Sequence, residues 1–372
     1  MKILMILANP FTNDPRVYNE AKSLIKAGHN VTVLAWDKNK ENHSKEVKDG
    51  INIVRSYNTK FMNMLPYDIF RLHFWWNKGY KDALKLYKEK PFDIVHCHDQ
   101  SSLPIGLKLK RKLNLPLIYD AHEIWGYMVS KHVPWWRYYL LKEKRLLRHV
   151  DHMIITNDVR KKIYEKKTDG DITVIDNYKH IITSKYIKPL NHGKKQLAIL
   201  YIGALLETRF LLELVEVVGG LQGVTLNIGG KSGEIRSQIK EKSALHNNVN
   251  FLGTVPEIMP LTLENDVVFI MISTKDKNDI TASTNKQYEA MVCGRPIICT
   301  KGTFVGDLTE KEDVGISIEE DKNSLRDAIM KLRDNHELRE KLGRKALKAA
   351  SREYNWEKQE ENLVKVYEEI TR

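Results

Sequence analysis

Apolar and polar positions along the chain form a repeated pattern of two kinds of segment. Short runs in which nearly every residue is apolar, such as residues 2–8, precede longer segments in which apolar residues recur every three or four positions, such as residues 15–27. Strands that are apolar on both sides are typical of parallel sheets covered by helices on both faces. The pattern therefore predicts an α/β fold of strand–helix units.

The same pattern assigns elements to most of the chain. The predicted strands are 2–8, 30–35, 51–55, 94–97, 116–119, 152–155, 173–175, 198–202, 225–228, 249–252, 267–272, 296–300 and 315–318. The predicted helices are 15–27, 67–88, 103–113, 135–148, 158–166, 210–218, 234–243, 256–263, 286–293, 322–335, 336–353 and 357–371. Residues 187–195 interrupt the alternation with proline, glycine and charge, which predicts a linker between two Rossmann-like domains at 1–188 and 195–356.

Composition narrows the class of protein. Three cysteines without zinc spacing argue against a disulfide framework. This cysteine usage fits a reducing cytoplasm. No apolar run is long enough to span a membrane, and the first apolar run, which lacks a small-residue cleavage site, is interpreted as a strand. The net charge of +12 favours phosphorylated or anionic partners, but no nucleic-acid-binding motif occurs, so no nucleic-acid partner is expected.

Glycines and cations follow the first two strands of the second half. Ligands of parallel sheets bind beyond the carboxyl ends of the strands. Gly203 ends one strand, and Arg209 begins the following helix, where it could bind a diphosphate together with the helix N-terminus. Gly230 lies in a run of glycines that would let a ligand approach the backbone. A surface arginine and a plain turn are the alternative interpretations.

The segment 279–296 carries the sharpest signal. Ser283 or Thr284 can cap the helix that begins near Asn285, which leaves free N–H groups for a phosphate. Glu289, one turn further along, could accept hydrogen bonds from ribose hydroxyls, as acidic residues do in dinucleotide folds. Without that context Glu289 would be interpreted as a helix-surface carboxylate.

In the first half, two strand ends carry imidazoles and carboxylates. His96 and His98 share one side of a strand, but no third ligand with clear spacing appears, so no metal site is expected. His122 is interpreted as a group for polar recognition or proton transfer, with a core histidine as the alternative. The loop after the first strand, with Asn13 and Arg16, could line an acceptor site or serve only to cap the next helix.

Two segments combine aromatic and basic residues. Residues 61–81 and 125–148 contain many of the tryptophans, tyrosines and phenylalanines among lysines and arginines. Such composition suits an anionic membrane surface or a lipid-linked acceptor. The alternative is that these aromatic residues pack helices against the sheet.

Several of these stretches resemble motifs of the retaining GT-B glycosyltransferases of glycosyltransferase family 4 (group 1). The donor signature of that family resembles residues 285–291 (NKQYEAM) followed by 294–296 (GRP), and its "DAHE" variant resembles residues 119–123 (YDAHE). Weaker matches are 13–17 (NDPRV), 27–35 (AGHNVTVLA), 203–209 (GALLETR) and 354–357 (YNWE). The resemblance extends over essentially the full chain.

The resemblance implies a GT-B fold, with two doubly wound domains facing across a cleft and a C-terminal helix (357–372) returning to the first domain. It implies transfer, with retention, of a hexose or N-acetylhexosamine from a UDP- or GDP-linked donor to a glycan or lipid-linked acceptor in polysaccharide biosynthesis. No cofactor or divalent metal is required, because cationic side chains replace the metal. Separately from the resemblance, the aromatic and basic composition of residues 61–81 and 125–148 favours a peripheral position on the cytoplasmic membrane face.

The resemblance also implies roles for single residues. The expected catalytic residues are His122, Arg209 and Asp99. The expected donor-binding residues are Gly203, Arg209, Gly230, Thr281, Ser283, Thr284, Asn285, Lys286 and Glu289. The expected acceptor-side residues are Asn13, Arg16 and Glu123.

One position departs from the family pattern. The family usually has two glutamates separated by seven residues; Glu289 matches the second, but Thr281 replaces the first. Asp279, two residues earlier, could substitute for that glutamate. The departure leaves open a non-catalytic sugar-nucleotide-binding protein, and a GT-B-like sugar-nucleotide epimerase is a further alternative.

Overall fold

The computed structural model describes residues 1–12, 14–124 and 136–370, apart from the side chains of Trp136 and Tyr139. These residues form two compact units, Met1–Asp176 with Gln359–Arg372 (unit 1) and Asn177–Lys358 (unit 2). Asn13 and residues 125–135 of the aromatic, basic stretch 125–148 lie outside the described residues. No helix within the described ranges is long and apolar enough to cross a membrane.

Unit 1 contains an eight-stranded sheet in the order β3-β4-β2-β1-β5-β6-β7-β8. Its strands are Lys2–Leu7 (β1), Asn30–Asp37 (β2), Lys45–Lys48 (β3), Ile51–Tyr57 (β4), Ile94–His98 (β5), Leu117–Ala121 (β6), His152–Ile155 (β7) and Asp171–Val174 (β8). Only the edge strand β3 pairs antiparallel. Its helices are Pro15–Lys26 (α1), Lys60–Met64 (α2), Asp68–Glu89 (α3), Asp99–Leu113 (α4), Trp136–Leu147 (α5) and Asp158–Tyr164 (α6).

Unit 2 contains a six-stranded, fully parallel sheet in the order β11-β10-β9-β12-β13-β14. Its strands are Leu197–Ile202 (β9), Val224–Gly229 (β10), Val249–Gly253 (β11), Val267–Ile270 (β12), Ile297–Thr300 (β13) and Gly315–Ile318 (β14). Its helices are Leu211–Gly219 (α7), Arg236–Ser243 (α8), Ile258–Glu264 (α9), Lys277–Ile280 (α10), Asn285–Val292 (α11), Phe304–Glu312 (α12), Lys322–Asp334 (α13) and His336–Arg352 (α14). The last helix, Trp356–Ile370 (α15), belongs to unit 1 from Gln359 onwards.

The predicted α/β fold with two doubly wound parallel sheets is confirmed. In each sheet the chain first runs outward from a central strand and then returns to that strand's other side. The reversal falls between β1 and β5 in unit 1 and between β9 and β12 in unit 2. Ligands of such sheets bind at the carboxyl ends of the strands on either side of the reversal.

Burial explains why the strand sequences are continuous apolar runs. Leu4 and Ile6 of β1 point to one face and Met5 to the other, and all three are fully buried. On one face Trp36 of β2 stacks on Trp75 of α3, with ring centroids 4.9 Å apart. Helix α1 begins where predicted, because the Asp14 carboxylate accepts a hydrogen bond from the Val17 N–H and proline occupies the first helical position.

One short strand and three short α-helices were not predicted, nor was the 3₁₀ helix Glu207–Arg209. The strand β3 has the sequence KEVK and forms an edge, where charged residues are tolerated and the apolar signal is absent. Helices α2 and α10 are short turns capped by Thr59 and Asp276. Helix α12 is capped by Thr303, and its second half (TEKE) is polar, so its sequence shows no repeated apolar period.

The division between the units falls after Asp176 rather than after Lys188. The segment that follows belongs to unit 2 because Tyr178 packs there: its ring lies 4.6 Å from that of Tyr288 and 5.6 Å from that of Tyr354. Lys179 pairs with Asn355 in a parallel bridge. The predicted linker at 187–195 is therefore part of unit 2, held in part by Arg339, which donates to the carbonyl oxygen of Asn191 at 3.3 Å.

Replacing Gly294 by alanine should destabilise unit 2 more than replacing Gly302. Both glycines have positive φ (+63° and +71°), but a Cβ on Gly294 would lie 3.2 Å from the carbonyl oxygen of Gly343, whereas a Cβ on Gly302 meets open space. Gly302→Ala should lower the free energy of unfolding by about 1 kcal/mol, the cost of a left-handed alanine. Gly294→Ala should exceed that value in urea denaturation followed by circular dichroism, and equal losses would contradict the packing argument.

Candidate functional site

Two glycines at the strand ends of unit 2 each allow a close contact: Gly230 lies against the backbone at Gly203, and Gly203 lies against the Lys286 side chain. A Cβ on Gly230, after β10, would lie 1.9 Å from the carbonyl oxygen of Gly203, and one on Gly203, after β9, would lie 2.6 Å from the Lys286 Nζ. A larger residue at position 230 would have to displace the backbone, whereas one at position 203 would displace the end of the Lys286 side chain. The geometry therefore explains both glycines that the sequence assigned to the site.

Lys286 places an ammonium group against this glycine pair. Its Nζ lies 5.1 Å from the centroid of the Tyr201 ring. Burial, together with the nearby charge of Arg209, lowers the pKa of Lys286 to about 8, although Glu289 acts in the opposite direction. Because burial disfavours the charged ammonium, an anion at this position would be stabilised by a cation that lacks full hydration.

The N-terminus of α11 lies in the same region. Thr284 is the cap, and its hydroxyl oxygen accepts a hydrogen bond from the Gln287 N–H at 3.4 Å. Asn285 and Lys286 are the first helical residues, so their N–H groups have no partner within the helix. Ser283, Thr284 and Asn285 are thus placed at a helix terminus that favours negative charge, as predicted from the sequence.

Glu289 is buried one turn further along α11, and Lys179 partners it. The Lys179 Nζ lies 3.4 Å from the Glu289 carboxylate and donates a hydrogen bond to the Asn285 side-chain oxygen at 3.1 Å. Lys179 was not predicted as a site residue. It lies in a segment without motif or periodicity, so only the fold places it beside α11.

Arg209 and Asp279 pair with each other at the edge of this site. Arg209 ends a short 3₁₀ helix, and its Nη2 lies 3.6 Å from the Asp279 carboxylate. The distance is long for a hydrogen bond, and both side chains are about three-quarters buried. The guanidinium therefore has room to exchange this carboxylate for another anion.

Thr281 is buried and turned toward its own helix. Its hydroxyl lies 3.0 Å from the carbonyl oxygen of Lys277 and 3.2 Å from that of Asn278. These two carbonyls belong to α10, so the Thr281 hydroxyl donates its hydrogen bond to the last turn of that helix. The Thr281 hydroxyl is therefore engaged by the end of α10, and its role in donor binding stays a prediction.

In unit 1 the buried Asp120 carboxylate, at the end of β6, organises the predicted residues. One of its oxygens lies 3.0 Å from His98 Nδ1, 2.8 Å from His122 Nε2 and 3.9 Å from Arg16 Nε. Burial by itself would raise the pKa of Asp120, but His122, His98 and Arg16 outweigh it and hold that pKa well below its usual value. The carboxylate thus fixes the orientation of the His122 ring.

Asp99 joins the same cluster from the next strand end. It accepts from the His122 backbone N–H at 3.3 Å and lies 3.3 Å from Arg16 Nη2. Its φ of +58° is unusual for a residue other than glycine, and such backbone strain is common at functional sites. Glu123 is held nearby by Arg160 at 3.0 Å. The structure therefore brings together Arg16, Asp99 and His122, and Glu123 is linked to them through Arg160, which also donates to the His122 carbonyl oxygen.

A second layer lies beneath this cluster. Glu20, His96, His98 and Asp120 are all buried, and one ligand atom from each lies within 4.8 Å of the others, so the group could hold a metal ion. The sequence showed no third ligand beside the two histidines, because Glu20 comes from α1 and Asp120 from β6. Burial, with the neighbouring Asp120 charge, raises the pKa of Glu20 well above its usual value and favours its neutral form.

Comparison with known families covers both units. Residues 16–178 match the model of glycosyltransferase family 4, and residues 196–335 match that of the glycosyl transferases group 1. Together the two matches extend over more than half of the chain. The chain is also 23% identical, over 79% of its length and 80% of the other, to an uncharacterized glycosyltransferase of Methanocaldococcus jannaschii.

Solved structures share the fold of the whole chain. A sucrose-phosphate synthase from Thermosynechococcus elongatus superposes with a TM-score of 0.79 at 16% identity, covering 100% of this chain and 99% of the other. Anabaena HepE in complex with UDP-glucose superposes with a TM-score of 0.74 at 15% identity, covering 99% and 100%. At identities this low the superpositions establish a shared fold. The bound ligand is a property of HepE itself.

The half-buried ammonium group of Lys286 should make the ligand-free protein less stable than a variant that lacks this charge. A lysine whose pKa is lowered by folding destabilises the native state at all pH values below the folded pKa, here about 8. Lys286→Met should therefore raise the midpoint of thermal unfolding at pH 7. The gain should shrink between pH 8 and the pKa of an unfolded lysine, near 10.4.

Lys331→Met, at an exposed position of α13, is the matched control and should change neither the midpoint nor its pH dependence. If the Lys286→Met gain did not depend on pH, the ammonium would not be the cause.

Proposed function

We propose a sugar-transfer reaction for this chain, which belongs to glycosyltransferase family 4 and has a group 1 domain in its second half. The chain transfers a hexose or N-acetylhexosamine from a nucleoside-diphosphate sugar to a glycan or lipid-linked acceptor. The transfer proceeds with retention. The observation that carries the proposal is the convergence in unit 2 of two cations and a helix N-terminus around a pair of glycines. A UDP-linked donor is favoured over a GDP-linked one because HepE, a structural neighbour, is in complex with UDP-glucose.

The diphosphate of the donor would lie against Gly203 and Gly230. Lys286, the Arg209 guanidinium and the N–H groups at the start of α11 would then neutralise the charge that develops on the departing nucleoside diphosphate. Preorganised cations and dipoles of this kind commonly accelerate a reaction more than any other single effect in an active site. Since they provide the positive charge that a divalent ion provides elsewhere, the proposed transfer requires no metal.

Glu289 would accept hydrogen bonds from the ribose hydroxyls. In the ligand-free structure its charge is balanced by Lys179, which also contacts the side chain of Asn285 at the helix start. Lys179 would thus hold the carboxylate in position for the nucleoside. Since the Thr281 hydroxyl is turned toward α10, contacts to the sugar would come from backbone N–H groups at 282–284 or from Asp279.

The unit 1 cluster would handle the transferred sugar and the acceptor. His122, oriented by Asp120, would hold the sugar as positive charge develops at the reacting carbon, and Asp99 would support it through the His122 backbone. Arg16 lies in the same cluster. A cavity of about 230 Å³ beside it, lined by Phe11, Thr12, Asp14, Pro15, Tyr18 and Lys48, offers space for part of an acceptor.

A panel of UDP, GDP, ADP and TDP with their sugars should identify the donor class by thermal shift. A ligand that binds only the native state adds about 2.7 kcal/mol of stability at 100 times its dissociation constant. Stabilisation by one nucleotide and its sugars is expected. Glu289→Gln should weaken that nucleotide roughly ten- to hundred-fold, the loss expected for a hydrogen bond to a charged group.

Glu241→Gln, at an exposed glutamate of α8, is the matched control and should leave affinity unchanged. An unchanged affinity in Glu289→Gln would remove Glu289 from the site. If no nucleotide stabilised the parent protein, the proposal itself would fall.

His122→Ala should separate binding from transfer. The nucleotide dissociation constant should stay within about two-fold, because His122 lies in unit 1, while the rate of sugar transfer into a glycan or lipid extract should fall roughly 100-fold, as for the loss of a positioned polar group. His149→Ala, an exposed histidine of unit 1, should keep the parental rate.

Transfer at the parental rate in His122→Ala would make His122 structural. Nucleotide binding by the parent protein without any sugar turnover would indicate a sugar-nucleotide-binding protein. Conversion of the donor without an acceptor would indicate an epimerase.

A further inference from the structure

Large apolar side chains lie exposed on α2 and the first half of α3. Met64 is 81% exposed, and Phe61, Tyr67, Phe70 and Phe74 are 42–66% exposed. The rings of Phe61 and Phe74 meet edge to face at 5.0 Å, and those of Tyr67 and Phe70 lie 6.0 Å apart. Phe70 and Phe74 are four residues apart on one helix, which joins the two pairs into one surface. We call these five residues the aromatic patch.

Packing within unit 1 does not account for this patch. The opposite face of α3 carries Leu72, Trp75 and Trp76, which are buried. Trp75 stacks on Trp36, and the Trp76 indole N–H donates to the carbonyl oxygen of Ser101 at 2.7 Å. The two interpretations of this aromatic segment therefore apply to different residues: the tryptophans fasten the helix to the sheet, and the patch faces solvent.

A row of lysines continues the exposed face of α3. Phe70, Phe74, Lys81, Lys85 and Lys88 are all exposed and lie within about 60° of one another around the helix axis at 3.6 residues per turn. We call the three lysines the lysine row.

Carboxylates do not neutralise this row. The acidic residues of α3 are engaged elsewhere: Asp68 with Lys38 at 2.6 Å, Asp82 with Lys78 at 2.6 Å and Glu89 with Lys45 at 3.5 Å. Within the described part of the chain, Lys81, Lys85 and Lys88 form no ion pair. The row therefore presents uncompensated positive charge.

Helix α5 contacts α3 through Trp76, on the face opposite the aromatic patch, and exposes apolar and basic side chains of its own. The Lys142 ammonium lies 3.6 Å from the centroid of the Trp76 ring, which brings the two helices together. On α5, Tyr138 and Leu141 are 49% and 64% exposed. Lys144 and Arg145 are also exposed, so apolar and basic residues again share the solvent-facing side.

We propose that α2 and α3 form a docking surface for an anionic lipid bilayer. The aromatic patch enters the interface between headgroups and acyl chains, and the lysine row lies against the anionic headgroups. Amphipathic helices bind in this way by combining apolar burial with attraction to anionic lipid. A nucleic acid would engage the lysines but leave Met64 and Tyr67 exposed to water, so a bilayer fits both halves of the surface.

The test is co-sedimentation of the full chain with vesicles of phosphatidylcholine alone or containing about one-third phosphatidylglycerol. The parent protein should sediment with the anionic vesicles and not with the neutral ones, and salt should weaken the binding because it screens charge. Sedimentation with neither kind of vesicle, or equally with both, would overturn the proposal. A parent protein that self-associates through the patch and leaves the vesicles bare would also overturn it.

Substitutions in the lysine row and in the aromatic patch test whether vesicle binding occurs through this surface. Lys85→Gln with Lys88→Gln should weaken binding about 25-fold, since each cation near an anionic surface contributes about five-fold. Met64→Ser with Tyr67→Ser should weaken it at least ten-fold through lost apolar burial, about 0.8 kcal/mol per CH₂ group. Circular dichroism and unchanged unfolding midpoints would show that these exposed substitutions leave the fold intact.

The matched controls lie in unit 2. Lys331→Gln with Lys341→Gln removes the same charge, and Leu245→Ser removes an apolar side chain that is 77% exposed. Both should bind as the parent does. An equal loss in the lysine control would show that net charge alone drives binding, and an equal loss in Leu245→Ser would show that the apolar contribution is not specific to the aromatic patch; either result would overturn the proposal. Because the assay contains no nucleotide, its outcome is independent of the proposed transferase activity.

Discussion

The parallel arrangement of the strands is the constraint on which the rest of the molecule depends. Because all strands but β3 run in one direction within their sheets, each sheet gathers its strand ends and the following helix N-termini at one edge. Gly203, Gly230 and the start of α11 meet at that edge in unit 2, and Arg16, Asp99 and His122 meet at that edge in unit 1. The sheet topology therefore determines where the two candidate sites lie, and the residues at the strand ends determine which functional groups they contain.

In both sites ionisable side chains are partly or fully buried, and burial together with neighbouring charges shifts their pKa values. In unit 1 the Asp120 carboxylate is stabilised by two histidines and an arginine, and Glu20 beneath it is pushed toward its neutral form. In unit 2 the pKa of the Lys286 ammonium is lowered because burial outweighs the attraction of the Glu289 carboxylate. Burial thus acts on charged groups in both sites: in unit 1 neighbouring cations keep a buried carboxylate ionised, and in unit 2 burial disfavours the charged form of a lysine.

Helix α3 shows how one element can serve the core and the surface together. Its buried tryptophans use large, flat rings to cover the sheet, and its exposed side carries phenylalanines followed by lysines. Segregation on a 3.6-residue period makes the two roles compatible, since each face is contributed by different positions of the same sequence. The aromatic content of this region would otherwise be explained by packing alone.

The sequence by itself determined the α/β class, nearly all of the longer helices and strands, and most candidate residues, because apolar periodicity and motif spacing are local properties. The DAHE and NKQYEAM stretches marked His122 and Glu289 without any knowledge of the fold. Tertiary structure alone decided which distant residues meet. It placed Lys179 beside Glu289, completed the Glu20, His96, His98 and Asp120 cluster, and turned the Thr281 hydroxyl toward α10. These depend on contacts between segments far apart in the chain, for which local sequence carries no signal.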